Sequence, residues 1–221
     1  REGLSIEFGS AMSVIHRSFE RLADWVVCVL VLGLEETSDL VSELLRLLSE
    51  VELLLHPLNP GEAEAEVLSG KYDMCLLTNP PEPNFKLTIQ PLFQERLRLA
   101  LASHHPLAGT DEITPEQMME QPYIDRMHCE FRTQLIKHFM DRNIVMRPRF
   151  QSEREDWVQQ MVAQGAGVCS LPEHSAIVDG IVLRAVKGLT LSRNISMVAV
   201  SGSANPREVR VILGLSKDFN W

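Results

Sequence analysis

With 221 residues, 45% of them hydrophobic and 23% charged, the chain can fill one large or two small cored domains and is too apolar for a disordered tail. Lys and Arg number 21 against 30 Asp and Glu, giving a net charge of −9 and a pI near 5.3; this stretch is a poor partner for phosphate backbones or an anionic membrane. The longest apolar run, Trp25 to Leu32, is far short of the roughly 20 residues that cross a bilayer. The amino terminus, with Glu7, His16, Arg17 and Glu20 scattered through it, does not read as an export signal. Four cysteines without a CxxC pair indicate reduced thiols in the cytoplasm, with neither a disulfide scaffold nor a zinc site.

Leu4 to Asp24 places Leu4, Phe8, Met12, Ile15, Phe19 and Leu22 near helical spacing. Such a stripe needs a partner, and another copy of the chain or a preceding domain would supply it. Val26 to Leu32 is then a β-branched run closed by Gly33, as expected of a strand buried on both faces. A helical stripe follows from Leu40 to Leu48, and a second strand from Val51 to Leu55. Pro60 and Gly61 open a helix that stops at Ser69-Gly70, with Gly70 in the position just past a helix end. Asp73 to Leu77 is the third strand. This alternation with short connections predicts right-handed crossovers and a parallel sheet, whose ligands bind beyond the carboxyl ends of the strands.

Leu87 to Phe93 and Arg96 to Ala102 read as two further strands, and His104 to Gly109 as a turn-rich passage into a second domain. The pattern restarts at Thr114-Pro115-Glu116-Gln117, a capping-box helix start. Next come a short strand at Tyr123-Ile124, a helix from Glu130 to Arg142, a strand from Pro148 to Gln151 and a helix from Glu155 to Gln164. Val168 to Leu171, Ile181 to Val186 and Asn194 to Val200 are strands, and Pro206 starts a final helix reaching Leu215.

Three passages carry a family resemblance. Leu68-Ser69-Gly70-Lys71-Tyr72-Asp73 running to Leu77 is similar to the L-x-x-G-x-x-D-x-x-I/L of LysR-type transcriptional regulators. Pro91-Leu92-Phe93-Gln94-Glu95, with His105-Pro106-Leu107-Ala108, resembles that family's P-L-F-x-E and H-P-L-A. Val162-Ala163-Gln164-Gly165-Ala166-Gly167-Val168 through Leu171-Pro172 resembles its V-A-x-G-x-G-V-x-x-L-P. The resemblance implies an α/β fold like type 2 periplasmic binding proteins: two Rossmann-like subdomains joined by two crossover strands, preceded by a linker helix. The implied divisions are residues 1–24 for the linker and dimerisation helix, 25–101 with 200–221 for one subdomain, and 102–199 for the other. A winged helix-turn-helix is expected ahead of this stretch, so any contact with DNA would run through that segment. A homodimer or homotetramer is implied.

Cys129, between His128 and Glu130 at an expected helix start, is the thiol of greatest interest, since a helix amino terminus and an imidazolium both favour thiolate. His128-Cys129 also resembles the His-Cys pair of the family's OxyR-like peroxide sensors, and Thr37 matches a polar threonine of that group. Those sensors carry a resolving cysteine nine residues on, where this chain has His138, and an acidic residue where it has Arg132. What remains is either a one-cysteine sensor or an ordinary pocket-lining residue. Cys28, Cys75 and Cys169 lie in apolar strands and read as core.

Thr37 and Ser38 either cap the following helix or hold a ligand carboxylate, with Glu35, Glu36 and Asp39 opposing an anion there. Thr78 and Asn79 end the third strand, and Arg126 with His128 follows the strand at Tyr123, all on the expected ligand side. Arg154 either holds an anion or belongs to a solvated turn. Methionines such as Met118, Met119, Met140 and Met161 read as core stripe. No GxSxG, HExxH or P-loop appears, so no enzymatic activity, cofactor or metal is expected. The expected function is detection of a small-molecule effector or oxidant; the alternative is a solute-binding protein of a transport system.

Overall fold

In the computed structural model the described residues are 25–31, 38–47, 51–57, 62–80, 82, 85–127, 129–202 and 205–218. The expected amino-terminal helix, Leu4 to Asp24, lies outside them. The chain forms two compact units, one running to Phe93 and resuming at Asn194, the other being Gln94–Arg193. Both breaks fall several residues earlier in the chain than the expected divisions after residues 101 and 199.

The first unit is built on β1 (Trp25–Val31), α1 (Ser38–Leu47), β2 (Val51–Pro57), α2 (Ala63–Leu68) and β3 (Met74–Thr78). β1 lies between β2 and β3 and is parallel to both. That central position accounts for its unbroken apolar sequence. The chain returns in β10 (Ser192–Val200), antiparallel to β3 with Ile195 opposite Thr78 and Ala199 opposite Met74, and ends in α6 (Arg207–Asp218). Side chains alternate across this sheet: Met74, Leu76, Met197 and Ala199 pack with Leu44 and Ile212 on one side. Cys75 and Val198 pack with Ala63 and Val67 of α2 on the other. Gly70 takes φ +74 just past α2, and its N–H donates to the Val67 carbonyl, as its place in the sequence predicts.

β4 (Leu87–Ala102) is one 16-residue strand where the sequence suggested two. Gln94-Glu95 looks like a polar break, but the Glu95 side chain is fully buried against Arg193, so the strand passes through. In the second unit β4 pairs antiparallel with β8 (Cys169–Pro172) and β9 (Ile181–Val186), and β9 pairs with β5 (Glu112–Ile113), a short strand the sequence did not reveal. α3 (Pro115–Met119) begins with both hydrogen bonds of the expected capping box, Gln117 N–H to Thr114 Oγ1 and Thr114 N–H to Gln117 Oε1. β6 (Tyr123–Arg126) and β7 (Pro148–Ser152) form a parallel pair in which Arg126 stands opposite Ser152. α4 (Arg132–Met140) follows β6, and α5 (Glu155–Ala163) follows β7.

Two apolar clusters fill this unit, one around Leu97, Leu99, Leu101 and Phe139, the other around Ala100, Ile124, Val158 and Leu171. Gly167 holds them together at the β6–β8 junction. A Cβ there would sit 2.4 Å from the Pro122 carbonyl oxygen, the atom that accepts the Val168 N–H. The methionine expectation holds for buried Met118 but not for Met140 and Met161, which are exposed. Met161 sits on the outer side of its helix, and Met140 borders an open pocket beside Cys129.

Candidate functional site

The second unit contains a pocket of about 180 Å³. β6 supplies Tyr123, Asp125 and Arg126, the turn after it Cys129, and β8 Ser170. An apolar wall comes from Leu135, Ile136 and Met140 of α4 with Val145, Met146 and Pro148 leading into β7.

The turn is set by backbone bonds: Cys129 N–H donates to the Arg126 carbonyl at 3.1 Å, and Arg132 N–H to the Cys129 carbonyl at 3.0 Å. α4 therefore starts at Arg132 and not at Glu130, and Cys129 precedes its cap residue, Phe131. Glu130 is drawn out of the helix by an ion pair with buried Arg193, which also binds Glu95.

Arg126 is held from three sides. Its Nε donates to Glu155 Oε2 at 2.6 Å, and its Nη1 reaches the Ser170 carbonyl at 3.0 Å and the Cys129 Sγ at 3.6 Å. Burial opposes the charge on this guanidinium, but the Glu155 carboxylate, through its charge and its hydrogen bond, holds the pKa up. Asp125 accepts two bonds from Arg132 Nε, one from Arg132 Nη2 and one from Gln151 Nε2 at 3.0 Å. Both ionic groups on the floor are thus already paired.

Ser170 is different. It is 2% exposed and its Oγ has no hydrogen-bond partner. Burial pushes the adjacent Tyr123 phenol up, and the Ser170 hydroxyl beside it pulls the other way.

The thiols contrast with the sequence expectation. Burial pushes the Cys129 thiol above its ordinary value, Arg126 pulls it down, and Glu130 and Glu155 push up again. Burial thus works against the expected bias toward thiolate, because the turn covers the sulfur before the helix starts. Cys75 and Cys169 are fully buried; burial pushes Cys75 up to about 12 and Cys169 higher still.

Of the other expected residues, Thr37 and His128 lie outside the described residues, and Ser38 opens α1 with its side chain undescribed. Thr78 and Asn79 come together in the first unit. Thr78 Oγ1 is buried without a partner. Asn79, at φ +46, uses its Oδ1 to accept the Asn194 N–H at 3.0 Å and so closes the β3–β10 ladder. Arg154 stands apart from the pocket. It is exposed, bound to Asp156 through two nitrogens, and stacked on Trp157 at 5.0 Å, so the solvated-turn alternative fits its surroundings. Sequence reasoning missed Tyr123, Asp125, Gln151 and Ser170. The available signal was a polar residue inside an apolar strand run: Asp125 after Tyr123-Ile124, and Ser170 between Cys169 and Leu171. No group of three metal-ligating side chains occurs among the described residues, and no helix among them is long and apolar enough to cross a membrane.

The two α/β units, threaded twice by the chain, place it in the type 2 periplasmic-binding-protein-like class. Residues 26–220 match the family model of the LysR substrate binding domain, and the chain belongs to that family. Among solved structures it resembles the Synechocystis PCC6803 CcmR regulatory domain in complex with 2-PG (TM-score 0.69, 17% identity, 88% of this chain and 95% of that one). It also resembles HinK, a LysR family transcriptional regulator from Pseudomonas aeruginosa (TM-score 0.69, 16% identity, 95% of this chain and 76% of that one). By sequence it is 25% identical over 133 residues to the hydrogen peroxide-inducible genes activator of Haemophilus influenzae, covering 59% of this chain. A similar match, 25% over 129 residues, is made to the activator of that name from Pectobacterium carotovorum, covering 58% of this chain. The chain spans only 44% and 42% of the lengths of those two relatives.

Proposed function

We propose that this chain is the effector-sensing part of a LysR-type transcription regulator, detecting a small molecule or oxidant and changing the geometry of a homodimer or homotetramer in the cytoplasm. DNA contact belongs to a winged helix-turn-helix ahead of the chain, in keeping with the charge of −9 on the part in hand. The ligand must favour one state over the other, since equal affinity for both shifts nothing. The family match favours this reading over a transporter's solute-binding protein.

The observation that carries it is the pocket of the second unit, where a half-buried thiol meets a fixed guanidinium at 3.6 Å. An oxidant reading draws on the same contact and on the relatives' name. In it the Cys129 thiol first gives up its proton; the sulfur then attacks one peroxide oxygen, the O–O bond breaks, sulfenic acid forms, and the other oxygen leaves as hydroxide, which takes up that proton to become water. Thr78, with its unpartnered hydroxyl, is the effector candidate of the first unit.

Mass spectrometry of the purified chain, native and after mild hydrogen peroxide, tests both forms. A retained small molecule, or a gain of one oxygen that Cys129→Ser abolishes, is the expected result. A chain that carries nothing, binds no candidate effector and leaves Cys129 unmodified would overturn the reading.

A further inference from the structure

Two strands carry the chain across the division between its units: β4, which enters the second unit at Gln94, and β10, which leaves it after Arg193. Each has a charged side chain beside its crossing, Glu95 on one and Arg193 on the other, and the two are ion-paired and buried. The backbone ties them as well, Leu97 N–H donating to the carbonyl of Leu191, just ahead of β10, at 2.9 Å. Glu95 Oε2 also accepts the His174 N–H at 3.1 Å. One carboxylate supplies the opposite charge that a buried guanidinium requires. Arg193 takes a second, that of Glu130, which is half-buried and is the residue next to Cys129. The hydrogen-bonded turn from Arg126 to Arg132 leaves Cys129 and Glu130 little freedom to move separately. A second path of contacts joins the same two places. Arg126, whose Nη1 meets Cys129 Sγ, is bound to Glu155. Gln159 Nε2 donates to Glu155 Oε1 at 3.1 Å and to the Ser175 carbonyl at 2.7 Å, and Ser175 Oγ lies 3.5 Å from Arg193 Nη2. These contacts close a ring, with Cys129 on one side of it and the two crossing strands on the other.

We propose that Glu130 is a relay: a change at the Cys129 sulfur draws the Glu130 carboxylate off Arg193 and loosens the hold of β4 on β10 where the chain crosses. Coupling of this kind travels through contiguous packed and hydrogen-bonded groups. Here the path is short, one peptide bond from Cys129 to Glu130 and one ion pair from Glu130 to Arg193. The sulfur touches Arg126 and packs against the cluster of Tyr123, Phe131 and Leu135, so a group added to it shifts the turn that carries Glu130. Glu130 does not line the pocket; it acts through Arg193, as a positioning residue. The relay gives the sensing site its outlet and rests on that reading for its biological use, whereas the coupling stands on these contacts alone.

The test is amide hydrogen exchange of the whole chain, followed by NMR before and after alkylation of Cys129 with iodoacetamide, in the native sequence and in Glu130→Ala. The reporters are the Leu97 and His174 N–H groups. Lys187 N–H, bonded to the Ile113 carbonyl at 2.8 Å, is the reference elsewhere in the unit. Alkylation should speed the two reporters about tenfold, the weight of one hydrogen bond to a charged group, and leave Lys187 unchanged. Glu130→Ala should speed them equally, and alkylation of that variant should add nothing further, because two changes on one path are not additive. Glu130→Gln, which keeps an acceptor oxygen for Arg193, should restore most of the protection. Alkylation effects of the same size with and without Glu130, reporters that ignore Glu130→Ala, or an equal response at Lys187 would each overturn the relay. A Cys129 that refuses the reagent contradicts its role as the sensing thiol. The relay is then judged on the same criteria with Cys129→Met, whose longer side chain the neighbouring pocket has room to accept.

Discussion

Two neighbouring strand ends in the second unit each lead into an arginine, and only Arg126 lines the pocket beside Cys129. β6 and β7 run parallel with Arg126 opposite Ser152, and Arg154 lies two residues further on. Arg126 has a side chain 12% exposed and three kinds of partner drawn from α5, β8 and the Cys129 turn. Arg154 is 61% exposed and bound to Asp156 in its own turn. The carboxyl end of a parallel strand marks the side on which ligands bind. What sets the β6 end apart is a further strand that removes water from it, β8.

That contrast can be broken experimentally, and the largest effect tests the strand contact behind it. Gly167→Ala forces a Cβ to within 2.4 Å of the Pro122 oxygen, where β6 and β8 meet. It should cost about 3 kcal/mol or more in denaturant unfolding, or prevent folding. A loss below 1 kcal/mol would mean the junction is looser than described.

Arg126→Ala leaves Glu155 without its guanidinium and the Ser170 carbonyl without a donor. A loss of about 2 kcal/mol is expected, discounted from a fully buried pair because Glu155 is 29% exposed. Arg154→Ala should leave the unfolding midpoint unchanged, as exposed ion pairs contribute little. Equal effects from the two substitutions would erase the distinction between the strand ends.

Alkaline pH adds a smaller effect. Cys75, pushed up to about 12 by burial, stays protonated in the fold while the unfolded thiol ionises near 9. Its contribution is intact below that unfolded value and is lost as pH rises toward the folded one, at about 1 kcal/mol per pH unit. Cys75→Ala should flatten this slope in denaturation series between pH 8 and 10.5, even if it lowers stability at neutrality. Least of all, Gly70→Ala places a side chain at φ +74 with open space around it, for a cost of about 1 kcal/mol by thermal melt.

Most of the framework was legible because it is local. The β1 run, the Gly70 stop, and Thr114 with Gln117 each depend on residues a few positions apart. The failures trace to partners far along the chain. Glu95 reads as a strand break until Arg193, 98 residues away, is seen to neutralise it. Glu130 reads as the first turn of a helix until the same arginine takes its carboxylate. Arg132 looks like the loss of an acidic residue, yet it is the partner of Asp125 seven positions back. For Cys129 the sequence shows a neighbouring imidazole that favours thiolate but not the burial that opposes ionisation. Thr37 and His128 lie outside the described residues and are left as sequence expectations.

Cys129 is a reachable thiol in a desolvated, arginine-flanked pocket, unlike Cys75 and Cys169. Peptide-resolved alkylation of the native chain with iodoacetamide across pH 7 to 9 tests it directly. The prediction is that Cys129 is modified well before the two buried thiols, its rate climbing about tenfold per pH unit because its proton is held tightly. A Cys129 rate already level at pH 7, or three thiols that react together, would contradict it.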